Sequence, residues 1–172
     1  MFYNVENLFH PEDDSLTRDD EFTPSGMKAW SFYRYNQKLQ NIYKVITALG
    51  GWEPPAVVGL CEIENRRVLQ DLIYKTPLKN HNYKIVHHES TDRRGIDVGF
   101  MYRPDKFTYV DHSVIRLRFP FDSTIRTRDV LCVKGVVIGG DTLHILVNHW
   151  PSRWGGQSVS EPRRMYLSLI HI

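Results

Sequence analysis

Apolar positions along the chain follow two rhythms. Tyr35, Leu39, Ile42, Ile46 and Leu49 recur at helical spacing, with Ser31 as a candidate N-cap and Gly50-Gly51 as the stop. Val68, Leu69, Leu72 and Ile73 predict a second helix, capped by Asn65 and halted before Pro77. Between the two, residues 56–61 are apolar on both parities, so both faces of that strand should be buried. Residues 2–5 predict an earlier short strand. Beyond residue 80 strand signals dominate, at 83–88, 96–102, 107–110, 114–119, 130–138 and 142–149. Gly139-Gly140-Asp141 supplies a hairpin turn between the last two. Ser160-Glu161-Pro162 then opens a final helix, with a capping residue, an acidic first turn and an early proline. The order predicts an α/β protein in which sheet packs on sheet and helices lie outside.

Composition narrows this to one globular domain over residues 1–172. The chain has 172 residues, of which 41% are apolar and 24% charged, values that exclude a disordered chain. The apolar runs fall far short of the roughly 20 residues that a membrane span needs. The first residues carry neither a basic n-region nor a long apolar h-region, so the reading leans towards the cytoplasm. The chain also begins inside its first strand, which leaves an upstream segment open. Cys61 and Cys132 sit in apolar strand runs and read as buried reduced thiols, not as a disulfide framework or zinc site.

Charge adds more than its formal total of +2. Residues 1–30 hold seven acidic side chains against Arg18 and Lys28, which leaves 20 basic and 13 acidic residues in 31–172. A polar, acidic loop at 6–29 therefore precedes a basic body, and a basic body suits a phosphate-bearing partner. The run 12–21 lacks the glycine and terminal glutamate of a calcium loop, so it reads as a solvated loop.

Three strand ends carry polar groups that a core would not choose. Glu62 follows the doubly buried run, where a carboxylate is costly unless a cation or hydrogen bonds compensate it. A hard divalent ion takes carboxylate and amide oxygens plus water, so Glu62 and Asn4 are candidate metal ligands. The alternative is that Glu62 pairs with an arginine and Asn4 makes a turn. Further on, a strand delivers His149 to a loop holding Ser152 and Arg153. With Asn148 these residues are phosphate-compatible, and a histidine can move protons near neutrality. Asp97 interrupts an apolar strand and could fix the tautomer of His149, or simply face solvent. Arg126 and Arg128 precede the 130–138 strand as phosphate grips or as surface charge. His87, His88 and His144 lack metal-ligand companions at convincing spacing and read as strand residues.

Five blocks then occur in order: Tyr-Asn-Val-Glu-Asn-Leu-Phe (3–9), Val-Gly-Leu-Cys-Glu-Ile-Glu-Asn (58–65), Arg-Gly-Ile-Asp-Val-Gly-Phe-Met-Tyr (94–102), Thr-Arg-Asp-Val-Leu (127–131) and Val-Asn-His-Trp-Pro-Ser-Arg (147–153). Together they resemble the endonuclease/exonuclease/phosphatase superfamily of pancreatic-type deoxyribonucleases and apurinic endonucleases, including bacterial members described as endonucleases. The resemblance implies a four-layer α/β sandwich of two packed mixed sheets with outer helices. It implies Mg²⁺-dependent phosphodiester hydrolysis, with Mn²⁺ as the alternate ion. Asn4 matches the metal-proximal asparagine and Glu62 the principal metal-binding glutamate. His149 matches the acid/base histidine, with Asp97 near its carboxylate partner. Arg128 matches a substrate-phosphate arginine and Ser152 a small polar phosphate contact, while Asn148 and Arg153 flank them.

The chain departs from the pattern in lacking a later Gly-Asp-Phe-Asn-type motif and a C-terminal Ser-Asp-His motif. Gly140-Asp141 is followed by Thr142-Leu143 and belongs to the hairpin. The expectation is therefore a truncated domain with its C-terminal half missing, and residues 166–172 are a candidate foreign tail. The expected function is an endonuclease acting on nucleic acid. The alternatives are a phosphatase or phospholipase-type phosphoesterase of the same superfamily, or a non-catalytic fragment that binds only metal or a partner. No protein partner is expected.

Overall fold

The computed structural model of the chain describes residues 1–153 and 155–169. The helical rhythms produce α1 (Phe32–Gly50) and α2 (Arg66–Tyr74). The Ser31 hydroxyl accepts the Arg34 N–H at 3.4 Å, and the Asn65 carboxamide accepts the Val68 N–H at 3.2 Å. Each cap satisfies a backbone donor that the first helical turn leaves open. Tyr35, Leu39, Ile42 and Ile46 bury the inner stripe of α1, and Val68, Leu69, Leu72 and Ile73 that of α2. Each such side chain contributes roughly 1.5–3 kcal/mol on leaving water.

Both helices cover a mixed sheet of β1 (Phe2–Leu8), β2 (Val57–Ile63), β4 (Asp97–Tyr102) and β3 (Lys84–His87), in that spatial order. β1 runs parallel to β2, and β4 is antiparallel to both β2 and β3. Alternation along β2 sends Val58 and Leu60 under the helices, and Val57 and Cys61 towards the second sheet. Both faces are thus covered, as the unbroken apolar run predicts. Gly99 on β4 is needed for close packing, because a Cβ there would lie 2.7 Å from the Leu69 side chain of α2.

The second sheet is antiparallel, in the order β5 (Phe107–Ile115), β6 (Val130–Val137), β7 (Thr142–Val147). Phe107, Leu131, Val133 and Val147 interlock with Cys61, Val98 and Phe100 of the first sheet. Helix layer, first sheet and second sheet therefore stack in that order. No helix among the described residues is long and apolar enough to cross a membrane.

The expected strands at 107–110 and 114–119 are instead one strand, β5, with a register shift between Tyr109 and Asp111 that absorbs the polar interruption. Residues 116–119 leave the sheet ahead of Pro120. The final helix, α3 (Gln157–Leu169), starts earlier than expected. Ser160 is inside it and 3% exposed, bonding back to the Gly156 carbonyl from its hydroxyl at 3.0 Å. Pro162 then falls within the helix. Leu167 packs with Leu117 and Val130 at one end of the second sheet, while residues 170–172 of the expected tail lie outside the described residues.

Candidate active site

β1 and β2 both break their alternation at the same level. Val5 and Leu8, three residues apart, lie under the helices, and so do Leu60 and Ile63. A regular strand would send the second member of each pair to the other face. The ladder shifts between Asn4 and Leu8 on β1, and between Cys61 and Ile63 on β2. The extra residues take left-handed backbone, with φ of 55° at Glu6, 62° at Asn7 and 64° at Glu62. Such a conformation costs a non-glycine residue roughly 1–2 kcal/mol and persists only where surrounding contacts enforce it. The matched bulges turn Glu62 out of the sandwich core and towards β1.

There Glu62 meets three donors. Its Oε1 accepts the Asn4 carboxamide N–H at 3.0 Å, and its Oε2 accepts the Asn7 backbone N–H at 3.1 Å. The His149 Nε2 lies 3.3 Å from Oε1. No arginine or lysine among the described residues lies within ion-pair distance of this carboxylate, so the arginine-paired alternative is not what forms. The Asn4 carboxamide oxygen accepts the Glu6 N–H at 2.8 Å, which fixes the amide orientation. A carboxylate offers about four lone-pair positions. Three donors leave one, and the Asn4 oxygen also retains one. The Glu62 carboxylate and the neighbouring Asn4 carboxamide are the hard-oxygen groups that a divalent cation takes, with water and phosphate filling its remaining positions.

His149 arrives from the opposite sheet, two residues beyond β7. Its side chain is 15% exposed and its Nδ1 is buried without a hydrogen-bond partner. Burial, then the Arg128 guanidinium, pushes the imidazole down to about 4, against a weaker opposing pull from Glu62. The ring is therefore neutral at pH 7. The carboxylate facing Nε2 favours the tautomer with its proton there, leaving the buried Nδ1 as the unprotonated nitrogen.

Two expected partners are engaged elsewhere. Asp97 does not orient His149. It is 2% exposed, its Oδ1 accepts the Ser90 N–H at 2.9 Å, and its Oδ2 lies 3.3 Å from His87 Nε2. The physical reason is register: His87 pairs with Gly99 across β3 and β4, so Asp97 faces the segment following His87. Arg128 is 7% exposed and is not an open phosphate grip. Its Nη1 donates to Asp92 Oδ2 at 2.9 Å, and its Nη2 donates to the His149 and Trp150 carbonyls at 3.2 and 3.4 Å. A buried guanidinium requires a carboxylate, and Asp92 supplies it. Arg128 thus ties the backbone of the histidine loop to the loop before β4.

Asn148, with Asn4 and His149, lines an open groove of ≈570 Å³ between the β1 and β7 edges. Ser152 shares a second cleft of ≈360 Å³ with Arg93, Arg94, Arg126, Arg128 and Arg163. Arg153 lines a separate depression against α3 with Trp150 and Gln157, so it is not brought to the Ser152 cleft.

Sequence reading missed three groups. Lys38 of α1 donates to the Glu6 carbonyl at 2.5 Å, and burial lowers its ammonium although Glu6 and Glu62 oppose this. Its position one turn from a buried stripe residue gave no signal. Asp92 could be found only through Arg128. His87 acquires companions that its spacing does not reveal: Glu89 beside it, and Asp97 from the neighbouring strand.

Residues 1–171 match the sequence profile described as the Endonuclease/Exonuclease/phosphatase family. No curated protein matches the chain. Among solved structures, zebrafish (D. rerio) TDP2 complexed with single-strand DNA product is similar at 21% identity and TM-score 0.53, covering 77% of this chain and 45% of that one. The human Nocturnin catalytic domain with bound sulfate gives 16% identity and TM-score 0.54 over 80% of this chain and 51% of that one. An endonuclease/exonuclease/phosphatase from Bacteroides vulgatus gives 15% identity and TM-score 0.55 over 98% and 57%. The chain therefore spans about half the length of the structures it resembles.

Proposed function

The chain belongs to the endonuclease/exonuclease/phosphatase family, and from that premise we propose that it carries the metal and histidine half of a divalent-metal-dependent phosphodiester hydrolase acting on a nucleic-acid strand. The observation that carries this reading is the convergence of Glu62, Asn4 and His149 at two matched bulges. Glu62 and Asn4 would hold the ion, Mg²⁺ or Mn²⁺. When bound, it supplies charge neutralisation at a phosphoryl oxygen.

The chain's own residues supply the rest. Asn4 and the Asn7 N–H lock the plane of the Glu62 carboxylate, so little reorganisation is needed when phosphate arrives. Neutral His149 carries its proton on Nε2, the ring atom that faces Glu62, and from there it would donate a hydrogen bond to a phosphoryl oxygen; one such fixed donor is worth about 10²–10³-fold. Arg128 holds the histidine loop rather than the substrate, and burial, aided by its charge, keeps the imidazole neutral. The arginine-lined cleft at Ser152 offers a cationic track for the flanking phosphates. The bound DNA of TDP2 and sulfate of Nocturnin, in neighbours of the same fold, agree with a phosphate-bearing substrate.

An end-labelled single-stranded oligonucleotide incubated with the protein in Mg²⁺ or in EDTA tests this. Cleavage should require Mg²⁺ and should vanish in Glu62→Gln. Mg²⁺ affinity should fall at least about 100-fold in that variant, since even outer partners of metal ligands are worth 10–100-fold. Binding of the strand should weaken steeply with salt. Unchanged Mg²⁺-dependent cleavage by Glu62→Gln would refute the proposal. Mg²⁺ binding with no turnover would favour the binding-only reading, which the half-length coverage of the relatives keeps in view.

A further inference from the structure

We propose that His87, Glu89 and Asp97 form a second cation site, separate from the Glu62 centre and suited to a borderline transition ion of the Zn²⁺ class. Each offers one ligand atom, and these atoms lie within 4.8 Å of one another. His87 is the anchor. Its side chain is 3% exposed, and its Nε2 is buried without a hydrogen-bond partner, pointing at Asp97 Oδ2 from 3.3 Å. Zinc bonds of about 2.0–2.1 Å in tetrahedral array set neighbouring ligand atoms about 3.3 Å apart, so this edge already has the right length.

The other two ligands are placed for complementary tasks. Asp97 is fixed, because the Ser90 N–H holds its Oδ1 and leaves Oδ2 facing the histidine. Glu89 is adjustable: its side chain is 66% exposed, with Oε1 3.7 Å from His87 Nδ1. It can swing to close the site and gives the ion an entry path from solvent. When the site is empty, burial and then the hydrogen-bonded Asp97 raise the Glu89 carboxyl above its ordinary value, and a cation would replace the proton that the two carboxyls share. An imidazole ligand favours zinc-like ions over Mg²⁺, which prefers all-oxygen sites. The ion would pin residues 88–95, whose Asp92 holds Arg128 and through it the His149 backbone.

Calorimetric titration with Zn²⁺, in saturating Mg²⁺, tests this independently of catalysis. The wild type should bind one equivalent. Glu89→Gln, a surface change that leaves folding intact, should weaken binding at least about 10-fold. His87→Gln should abolish it. In the wild type, Co²⁺ should give intense visible bands of four-coordinate geometry, and these should be lost in His87→Gln. Glu62→Gln should leave Zn²⁺ affinity within about 2-fold, well below the effect of losing a ligand. The proposal is overturned if Glu89→Gln and His87→Gln bind Zn²⁺ like the wild type, or if Glu62→Gln removes the site.

Discussion

The two sheets of the sandwich differ in what covers them. The first is packed on both faces, with α1 and α2 on one side and the second sheet on the other. The second is packed along the whole of one face, and on the other only at the end where Ile115 pairs with Val130, which Leu117 and, from α3, Leu167 cover. The rest of that face shows Lys134, His144 and Leu146 to solvent along the β6–β7 ladder. The candidate site draws on both. The doubly packed sheet supplies the carboxylate and the strained bulges, which need a rigid frame to persist. The second sheet supplies the histidine on a loop, and Arg128 and Asp92 take over the role that packing plays opposite.

That comparison breaks first at the clamp. Arg128→Met should destabilise the protein by about 3–5 kcal/mol, because it breaks the buried ion pair and leaves Asp92 only the exposed Arg94, 3.5 Å from Oδ1. Asp92→Asn should cost a similar amount, and the double variant less than the two losses added. Urea midpoints measure all three. A loss below about 1 kcal/mol for Arg128→Met would place the pair among ordinary surface ion pairs.

Packing gives the next largest contrast. Leu69→Ala, fully buried against Gly99 and Ile63, should cost about 2–5 kcal/mol. Leu146→Ala on the open face, where the side chain is 37% exposed, should cost less than about 1 kcal/mol. Equal losses would mean that the second sheet is covered in solution.

The same contrast explains what the sequence made legible. The helices of the first layer were readable because Leu39, Ile42 and Ile46 repeat at 3.6-residue spacing and Ser31 and Asn65 mark their starts. The doubly buried strand was readable because 56–61 has no polar gap. Glu62 was legible as an expensive carboxylate after that run. The partners of Asp97 and Arg128 were not, because cross-strand register and loop closure choose them, and neither leaves a local pattern. Asp97 has an apolar strand around it whether it faces His149 or His87. Ser160 has the chemistry of a cap and so marks too late a start for α3, because the Gly155-Gly156 turn, with φ of 84° and 97°, lets the helix begin before it.

Acidity separates the two sides of the site more finely. In metal-free buffer, His149 titrates near 4 in the fold against its ordinary 6.5, so stability is lost as pH falls through that window. Glu64 behaves oppositely. Burial, against the opposing His10 N–H, raises it from 4.5 to about 7, so stability is lost as pH rises through that range. The two contributions oppose each other between about 4.5 and 6.5. His149→Gln should uncover a decline in stability with rising pH, and Glu64→Gln a gain, each approaching 1.4 kcal/mol per pH unit. Parallel pH profiles for the two variants would show that neither group is shifted in these directions.

The smallest effect tests whether the bulge strain is stored energy. Glu6 holds φ of 55° with its side chain exposed, and its two site contacts use backbone atoms: its N–H donates to Asn4, and its carbonyl accepts Lys38. Glycine keeps both contacts and adopts this backbone without penalty. Relief of roughly 1–2 kcal/mol of left-handed strain, offset by about 0.4–1 kcal/mol of added unfolded-chain freedom, predicts that Glu6→Gly is more stable by up to about 1.6 kcal/mol. Mg²⁺ affinity should stay unchanged, because Asn4 and Glu62 keep their places. A destabilised Glu6→Gly would mean that the residue's charge, acting on Lys38, outweighs its backbone. The bulge on β1 would then be held by electrostatics rather than by the ladder beside it.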